Sequence, residues 1–242
     1  MDPSSKPNAQ TITAARLGLN DPLVKGVLGR LHQEARHDLF VLPRFLPALV
    51  LARLKGVPEF TASKPLVAKG FLNIPPKVGN FLYLTARAID ARQAVEFGTS
   101  FGVSSIYLAA AMRDNGGHFV GSEIEASKAA VARRNLDEAG LSPFSEVREG
   151  DAMQTLCELA APVDLLFLDG WKDLYLPVLE LLKPKLRKGS VVIADNILFP
   201  PGFRKTMARY VAYTNDPGNG FQSTTLKLGA GIEYSVFEGQ DL

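Results

Sequence analysis

Two acidic residues, Asp169 and Asp195, each close an apolar run in the stretch LLFLDGWKDLYLPVLELLKPKLRKGSVVIADN, which spans residues 165–196. Asn196 follows the second acid directly. If the two runs are neighbouring parallel strands, their ends lie side by side at one edge of a sheet. Three oxygen donors, Asp169, Asp195 and Asn196, then converge there. An all-oxygen set suits a hard cation such as Mg²⁺ and not zinc. Lys172, three residues beyond Asp169, is close enough to act on whatever that cation binds.

Positioning these groups falls to a series of short apolar runs that alternate with amphipathic segments from about residue 92 onward. ARQAVEF, HFVGSE, FSEVREG, VDLLFLD and GSVVIADN read as strands. VSSIYLAAAMRD, EASKAAVARRNLDEAG, AMQTLCELA and DLYLPVLELLKPKL read as the intervening helices, the second stopped by Gly140 and the last broken by Pro177 and Pro184. VDLLFLD is almost wholly apolar, as a strand buried on both faces should be. Such β-α alternation argues for a doubly wound, mostly parallel sheet with helices on both sides. The tail differs: FQSTTLKLGAGIEYSVFEG is two strand-like runs separated by Gly229, Ala230 and Gly231, too few residues for a crossover, so it should form an antiparallel hairpin. The expected total is seven strands.

The first strand runs into Glu96-Phe-Gly-Thr-Ser-Phe-Gly102, a GxxxG turn made by Gly98 and Gly102. A dinucleotide fingerprint needs a further glycine where this chain has Ser100, so NAD and FAD are disfavoured. A turn of this kind lets backbone approach a nucleoside without phosphates, although glycines after strands also serve simply as turns. Glu123 closes the second strand, 21 residues after Gly102, where a carboxylate can accept both ribose hydroxyls. Asp151, after the third strand, could reach an adenine amino group or cap the following helix. Glycine turn, ribose acid and adenine-edge acid together point to S-adenosylmethionine.

The residues quoted so far resemble the class I S-adenosylmethionine-dependent O-methyltransferases of the catechol and caffeoyl-CoA type. The segment GFLNIPPKVGNFLYLTARAIDARQAVEFGTSFGVSS is similar as well, and the resemblance covers roughly residues 68–238. It implies a Rossmann-like methyltransferase fold at 68–242, preceded by a tail and helical extension at 1–67. It implies that Asp169, Asp195 and Asn196 hold Mg²⁺ or a similar divalent cation. Lys172 becomes the general base, and Glu123 the ribose acid. Glu96, Gly98 and Ser104 shape the methionine end of the cofactor site. Asn73 and Ile74 cover the cofactor's amino-acid part, and Trp171 lies beside the adenine or is a core aromatic. Asp169 also meets the methyl-bearing end of the cofactor. The implied reaction is methyl transfer from S-adenosyl-L-methionine, leaving S-adenosyl-L-homocysteine, to a hydroxyl of a catechol-like or other hydroxylated aromatic small molecule. One departure stands out: animal catechol methyltransferases carry a substrate-holding glutamate in the strand after the ADN loop, and FQSTTLKL has no acid. This leaves room for a cofactor-binding protein without catalysis, or for a metal-independent small-molecule methyltransferase.

A chain of 242 residues with 46% hydrophobic residues fits one α/β domain with an added segment. Its net charge of +2 gives no reason to expect a nucleic-acid or membrane partner. The one cysteine, Cys157, allows neither an internal disulfide nor a zinc framework and is expected in the core of a helix. The first eighteen residues lack the apolar run of a signal peptide, and a cytoplasmic protein is expected. The first dozen residues read as disordered, and the segment 21–56 as helical with breaks at Pro43 and Pro47. That helical part could cover the active site, build a homodimer contact or pack on the sheet. Phe199, Pro200, Pro201 and Phe203 suggest a stiff apolar wall for a flat acceptor.

Overall fold

The computed structural model describes residues 18–39, 73–160, 162–198 and 204–239. The strands are β1 (Gln93–Phe97), β2 (His118–Glu123), β3 (Ser145–Glu149), β4 (Val163–Leu168), β5 (Leu186–Ala194), β6 (Phe221–Leu226) and β7 (Ile232–Phe237). They form one seven-stranded sheet in the order β3-β2-β1-β4-β5-β7-β6. The first five are parallel to their neighbours, whereas β7 runs antiparallel between β5 and β6. The expected hairpin is therefore present, with its second strand inserted next to β5. The described helices are α1 (Pro22–Leu39), α2 (Pro76–Ala88), α3 (Val103–Asn115), α4 (Ala126–Glu138), α5 (Ala152–Thr155), α6 (Tyr175–Leu182) and α7 (Arg204–Asn215).

Alternation along the strands divides the core into two layers. Leu165, Phe167, Val191 and Ile193 face the layer that contains α2 and α3, while Leu166, Leu168, Val192 and Ala194 face the layer of α6 and α7. A fully buried leucine contributes roughly 1.5–3 kcal/mol relative to exposure, so a one-residue slip of β4 would cost several such terms only if one face were wet. Here both faces are covered, and register comes from the ladder and the acids at its end. α3 is buried almost all round, from Val103 to Met112, because α1 covers its outer side through Val24, Val27, Leu28 and Leu31. Polar ties hold α1 in place: Arg30 reaches Glu138 at 2.5 Å and Asn135 at 3.0 Å, and Arg113 reaches Asp21 at 2.9 Å. Of the alternatives for the N-terminal helix, the described part packs on the helical layer. The breaks at Pro43 and Pro47, the boundary at 67/68 and the expected disorder at the start lie outside the described residues.

Three local expectations are corrected. Cys157 is exposed and lies beyond the end of α5 at Thr155. Leu156 and Leu159 occupy the buried positions there, which turns the intervening residue outward. Pro177 does not break its helix: it is the third residue of α6, where the missing N–H has no intrahelical acceptor to lose. Pro184 sits in a 3-10 turn, Lys183–Lys185, and β5 begins at once after it, at Leu186 rather than Gly189. Gly189 carries φ +84°, at a point where β5 bulges relative to β4 between the pairs Val163–Leu186 and Leu165–Val191.

Candidate active site

The strand order reverses between β1 and β4, and in open α/β sheets the crevice beyond the carboxyl ends of the strands at such a point takes ligands. Register places the chemistry there. Leu168 pairs with Phe97 on one side and with Ala194 on the other. The next residues of the three strands, Gly98, Asp169 and Asp195, therefore stand in a row. The ladder continues through them: Asp169 N–H donates to the Phe97 carbonyl at 2.9 Å and Asp195 N–H to the Leu168 carbonyl at 3.0 Å. The side-by-side placement of the two acids expected from the sequence is observed.

The turn after β1 is built for close approach. Gly98 has φ +95°, and a Cβ on it would lie 2.5 Å from the backbone N and Cα of Gly170. Two turns thus meet backbone to backbone, and only glycine fits. Ser100 also adopts a left-handed conformation, φ +49°, and its N–H donates to Glu123 Oε2 at 2.6 Å. The other carboxylate oxygen of Glu123 accepts from Glu125 N–H at 2.9 Å. Glu123 is therefore a buried carboxylate that organises the glycine turn and stands beside it. Each of its oxygens retains acceptor capacity for a ligand hydroxyl.

Glu96 is wholly buried at the end of β1, with Oε2 accepting from Ser105 Oγ at 2.5 Å. Its Oε1 and the Thr99 hydroxyl are buried without a hydrogen-bond partner among the described residues. Burial pushes the Glu96 carboxyl up to about 7, opposed by the hydroxyls of Ser104 and Ser105. Ser104, beside Ser105 in the chain, and Ile74 are buried, and the Asn73 side-chain nitrogen is a further buried group with no partner among the described residues. Unsatisfied buried polar atoms are costly, so the unpartnered Glu96 Oε1 and Thr99 hydroxyl at the end of β1 fit a polar ligand that supplies the missing bonds. Asp151 is exposed and its side chain accepts from Met153 N–H at 2.9 Å, capping α5. Trp171 is partly buried against the α6–α7 layer.

At the ends of β4 and β5, Lys172 is buried on a short 3-10 turn, Lys172–Leu174. Its Nζ lies 3.3 Å from Asp169 Oδ1 and 2.5 Å from Tyr175 Oη. Asp195 Oδ1 accepts from Asn196 N–H at 2.7 Å, and Asn196 is left-handed at φ +61°. Burial raises the Asp169 pKa, Lys172 opposes the rise, and Asp195 and Glu96 add to it. Burial likewise raises Asp195 and lowers Lys172, whose charge is supported by Asp169 and Asp195. The carboxylates here outnumber the cation that serves them, which fits a site that accepts positive charge. Among the described residues no cluster of three or more His, Cys, Asp and Glu is suited to a metal. A cation at this edge would have to use the two aspartates with the Asn196 side-chain oxygen, an oxygen-only set.

The sequence reading missed Tyr175, Gly170 and Ser105. Tyr175 lies three residues after Lys172, a spacing that puts both on one helical face, and Ser105 adjoins the candidate Ser104. Gly170 had a signal too, as the glycine after a strand-end acid. The acid missing from β6 has no evident stand-in. Glu233 on β7 is wholly buried, and its carboxylate accepts from Asn215 at 2.8 Å and from the Thr225 hydroxyl. The apolar wall expected at Phe199, Pro200, Pro201 and Phe203 lies outside the described residues.

A seven-stranded sheet ending in this hairpin, with a glycine turn, a strand-end glutamate and buried polar atoms at its switch point, defines a class I methyltransferase fold. Comparison with known proteins agrees. A family model described as a methyltransferase domain matches residues 95–197. A catechol O-methyltransferase from Niastella koreensis is 34% identical over 131 residues, covering 52% of this chain and 59% of that protein. Among solved structures, cofactor-bound Rv0187 from MTB is 27% identical with a TM-score of 0.66, covering 81% of this chain and 97% of that one. The O-methyltransferase from Bacillus cereus in complex with SAH is 26% identical with a TM-score of 0.65, covering 74% and 89%. Residues 95–197 match a methyltransferase domain, and over about half of its length the chain is similar to catechol O-methyltransferases. Its match spans little more than half the length of the curated relative.

Proposed function

We propose that the protein transfers the methyl group of S-adenosylmethionine to a hydroxyl of a catechol-like or other hydroxylated aromatic small molecule, with help from a divalent cation. The observation that carries this reading is the row Gly98, Asp169 and Asp195 at the switch point, with Lys172 against Asp169. S-adenosylmethionine supplies an electrophilic methyl on a sulfonium. The Gly98–Gly102 turn and Glu123 would hold its nucleoside part. Glu96, Ser104, Asn73 and Ile74 would surround its amino-acid end, and Asp151 the adenine edge. Asp169, Asp195 and Asn196 would hold a hard cation, whose chemistry is to orient two neighbouring acceptor oxygens and make a hydroxyl more acidic. Lys172 Nζ would take the proton that the hydroxyl loses. Orienting the acceptor against the methyl group is worth up to about 7–11 kcal/mol in well-aligned systems.

The test is incubation with S-adenosylmethionine, Mg²⁺ and a panel of catechols and simple phenols, with products identified by mass spectrometry. An O-methyl ether is expected. Cofactor binding with no product across the panel would contradict the reading. Asp195→Ala should lower kcat by about a thousandfold or more, as loss of a metal ligand that orients the reacting oxygen implies. Its affinity for S-adenosylhomocysteine, measured by calorimetry, should stay within a few-fold of the parent.

Glu96 gives a pH prediction. Its carboxyl is raised from 4.5 to about 7, so a cationic cofactor beside it would favour the ionised form. Below pH 7 binding must expel a proton, and above it binding need not. Affinity for S-adenosylmethionine should therefore rise several-fold between pH 6 and 8, by at most about tenfold per pH unit. Glu96→Gln should flatten the dependence. For folding without the cofactor the sign is reversed: the raised carboxyl contributes stability below 4.5 that is lost as pH climbs through 7. The proposal also includes a homodimer, checked by light scattering, and a cytoplasmic location, checked by cell fractionation.

A further inference from the structure

Tyr175 is wholly buried, yet its hydroxyl is fully engaged at the edge where Lys172 works. It donates to the backbone carbonyl of Asp195 at 3.1 Å. A carbonyl can only accept, so the single phenolic proton is committed there, and an oxygen lone pair faces Lys172 Nζ, 2.5 Å away. The ring cannot swing to relax this arrangement. It is wedged edge-on between Phe97, with centroids 6.3 Å apart, and Tyr210, at 5.8 Å. The same ring lies beneath the amine, whose Nζ is 4.7 Å from its centroid.

A side-chain nitrogen has three tetrahedral directions beyond its own carbon. At Lys172 one points to Asp169 Oδ1 and one to Tyr175 Oη. One direction remains, whatever proton or lone pair it carries. The two acceptors sit on different supports. Asp169 ends β4, and Tyr175 opens α6 while gripping the end of β5 through Asp195. The amine is thereby referenced to both strand ends that would hold the cation.

We propose that Tyr175 is a positioning residue: its hydroxyl, set by the Asp195 carbonyl, orients the Lys172 amine so that its remaining direction faces the acceptor hydroxyl. The inference rests on the proposed role of Lys172 and adds a residue that acts through it. Packing alone would make the ring important and the hydroxyl dispensable. Positioning makes the hydroxyl important while leaving substrate and cofactor binding intact.

The test is steady-state kinetics of Tyr175→Phe with S-adenosylmethionine, Mg²⁺ and the best acceptor of the panel. The expected result is a fall in kcat of about 10- to 100-fold, the scale that small misplacements of reacting groups produce. Acceptor KM and cofactor affinity should stay within twofold. Tyr210→Phe, which removes a neighbouring hydroxyl that has no hydrogen-bond partner among the described residues, should leave kcat within twofold. A series of fluorotyrosines at position 175, which keeps the ring and weakens the oxygen as an acceptor, should lower kcat in graded steps. A kcat for Tyr175→Phe within twofold of the parent would overturn the inference, as would a loss matched by Tyr210→Phe or by equal loss of cofactor affinity. A flat fluorotyrosine series would overturn it too. If Lys172→Ala keeps the parent's kcat, or no acceptor is methylated, the proposed function itself fails and takes this inference with it. Full activity in Tyr175→Phe beside an inactive Lys172→Ala would sink the positioning role alone.

Discussion

Replacing Lys172 with alanine is expected to lower kcat by about 10²–10⁴-fold, the usual contribution of a positioned general base. Affinity for S-adenosylhomocysteine should change little, because the amine contacts Asp169 and Tyr175 and not the glycine turn or Glu123. The environment explains why this lysine is suited to the task. Burial lowers its pKa towards the range where an amine can accept a proton, while Asp169 and Asp195 pull the other way and hold it in place. A surface lysine would be protonated at neutral pH and useless as a base. Steady-state kinetics and calorimetry on the variant decide the matter. A loss confined to KM would assign Lys172 to substrate binding instead.

The second large effect is expected at Gly98. Alanine there would place a methyl 2.5 Å from Gly170 N and Cα and 2.8 Å from the Asp169 carbonyl carbon, with φ at +95°. The obstacle is backbone on the far side, and it belongs to the turn that carries Asp169, so neither turn can yield cheaply. Left-handed strain alone costs about 1–3 kcal/mol, and the clash adds to it. A total near ~3 kcal/mol would lower Tm by roughly 6–12 °C for a chain of this size. Any relaxation that spares Tm must separate β1 from β4 at the switch point, and cofactor affinity should then fall more than tenfold. Thermal melts and calorimetry together test this. Unchanged values in both would show that the two turns are not packed as described.

The elements that carry the site were legible because their chemistry sits at strand ends. Apolar runs closed by Asp169 and Asp195 predict neighbouring strands, and β4 and β5 pair in the register that sets those acids side by side. Glu123 closes β2 as expected and holds the glycine turn through Ser100. What was not legible depends on single atoms. Periodicity assigns Cys157 to a helix, but α5 stops at Thr155 once Leu156 and Leu159 have reached the core. Pro177 reads as a breaker only until its place in the first turn of α6 is known. Asp151 reads as an adenine-edge acid or a helix cap, and the contact of Oδ1 with Met153 N–H shows that the cap is made without deciding the other role. Tyr175 gave the weakest signal of all. A tyrosine three residues after a lysine is ordinary, and only the placement of its proton towards Asp195 distinguishes it.

The most direct test of the account is metal-dependent turnover: transfer of labelled methyl from S-adenosylmethionine to a vicinal diol such as catechol, assayed in Mg²⁺, in excess EDTA, and after Mg²⁺ is restored. The account predicts an O-methylated product with Mg²⁺, loss of at least about 99% of the rate in EDTA, and recovery on add-back, with S-adenosylhomocysteine still bound in EDTA. Equal turnover in EDTA would contradict the role given to Asp169, Asp195 and Asn196.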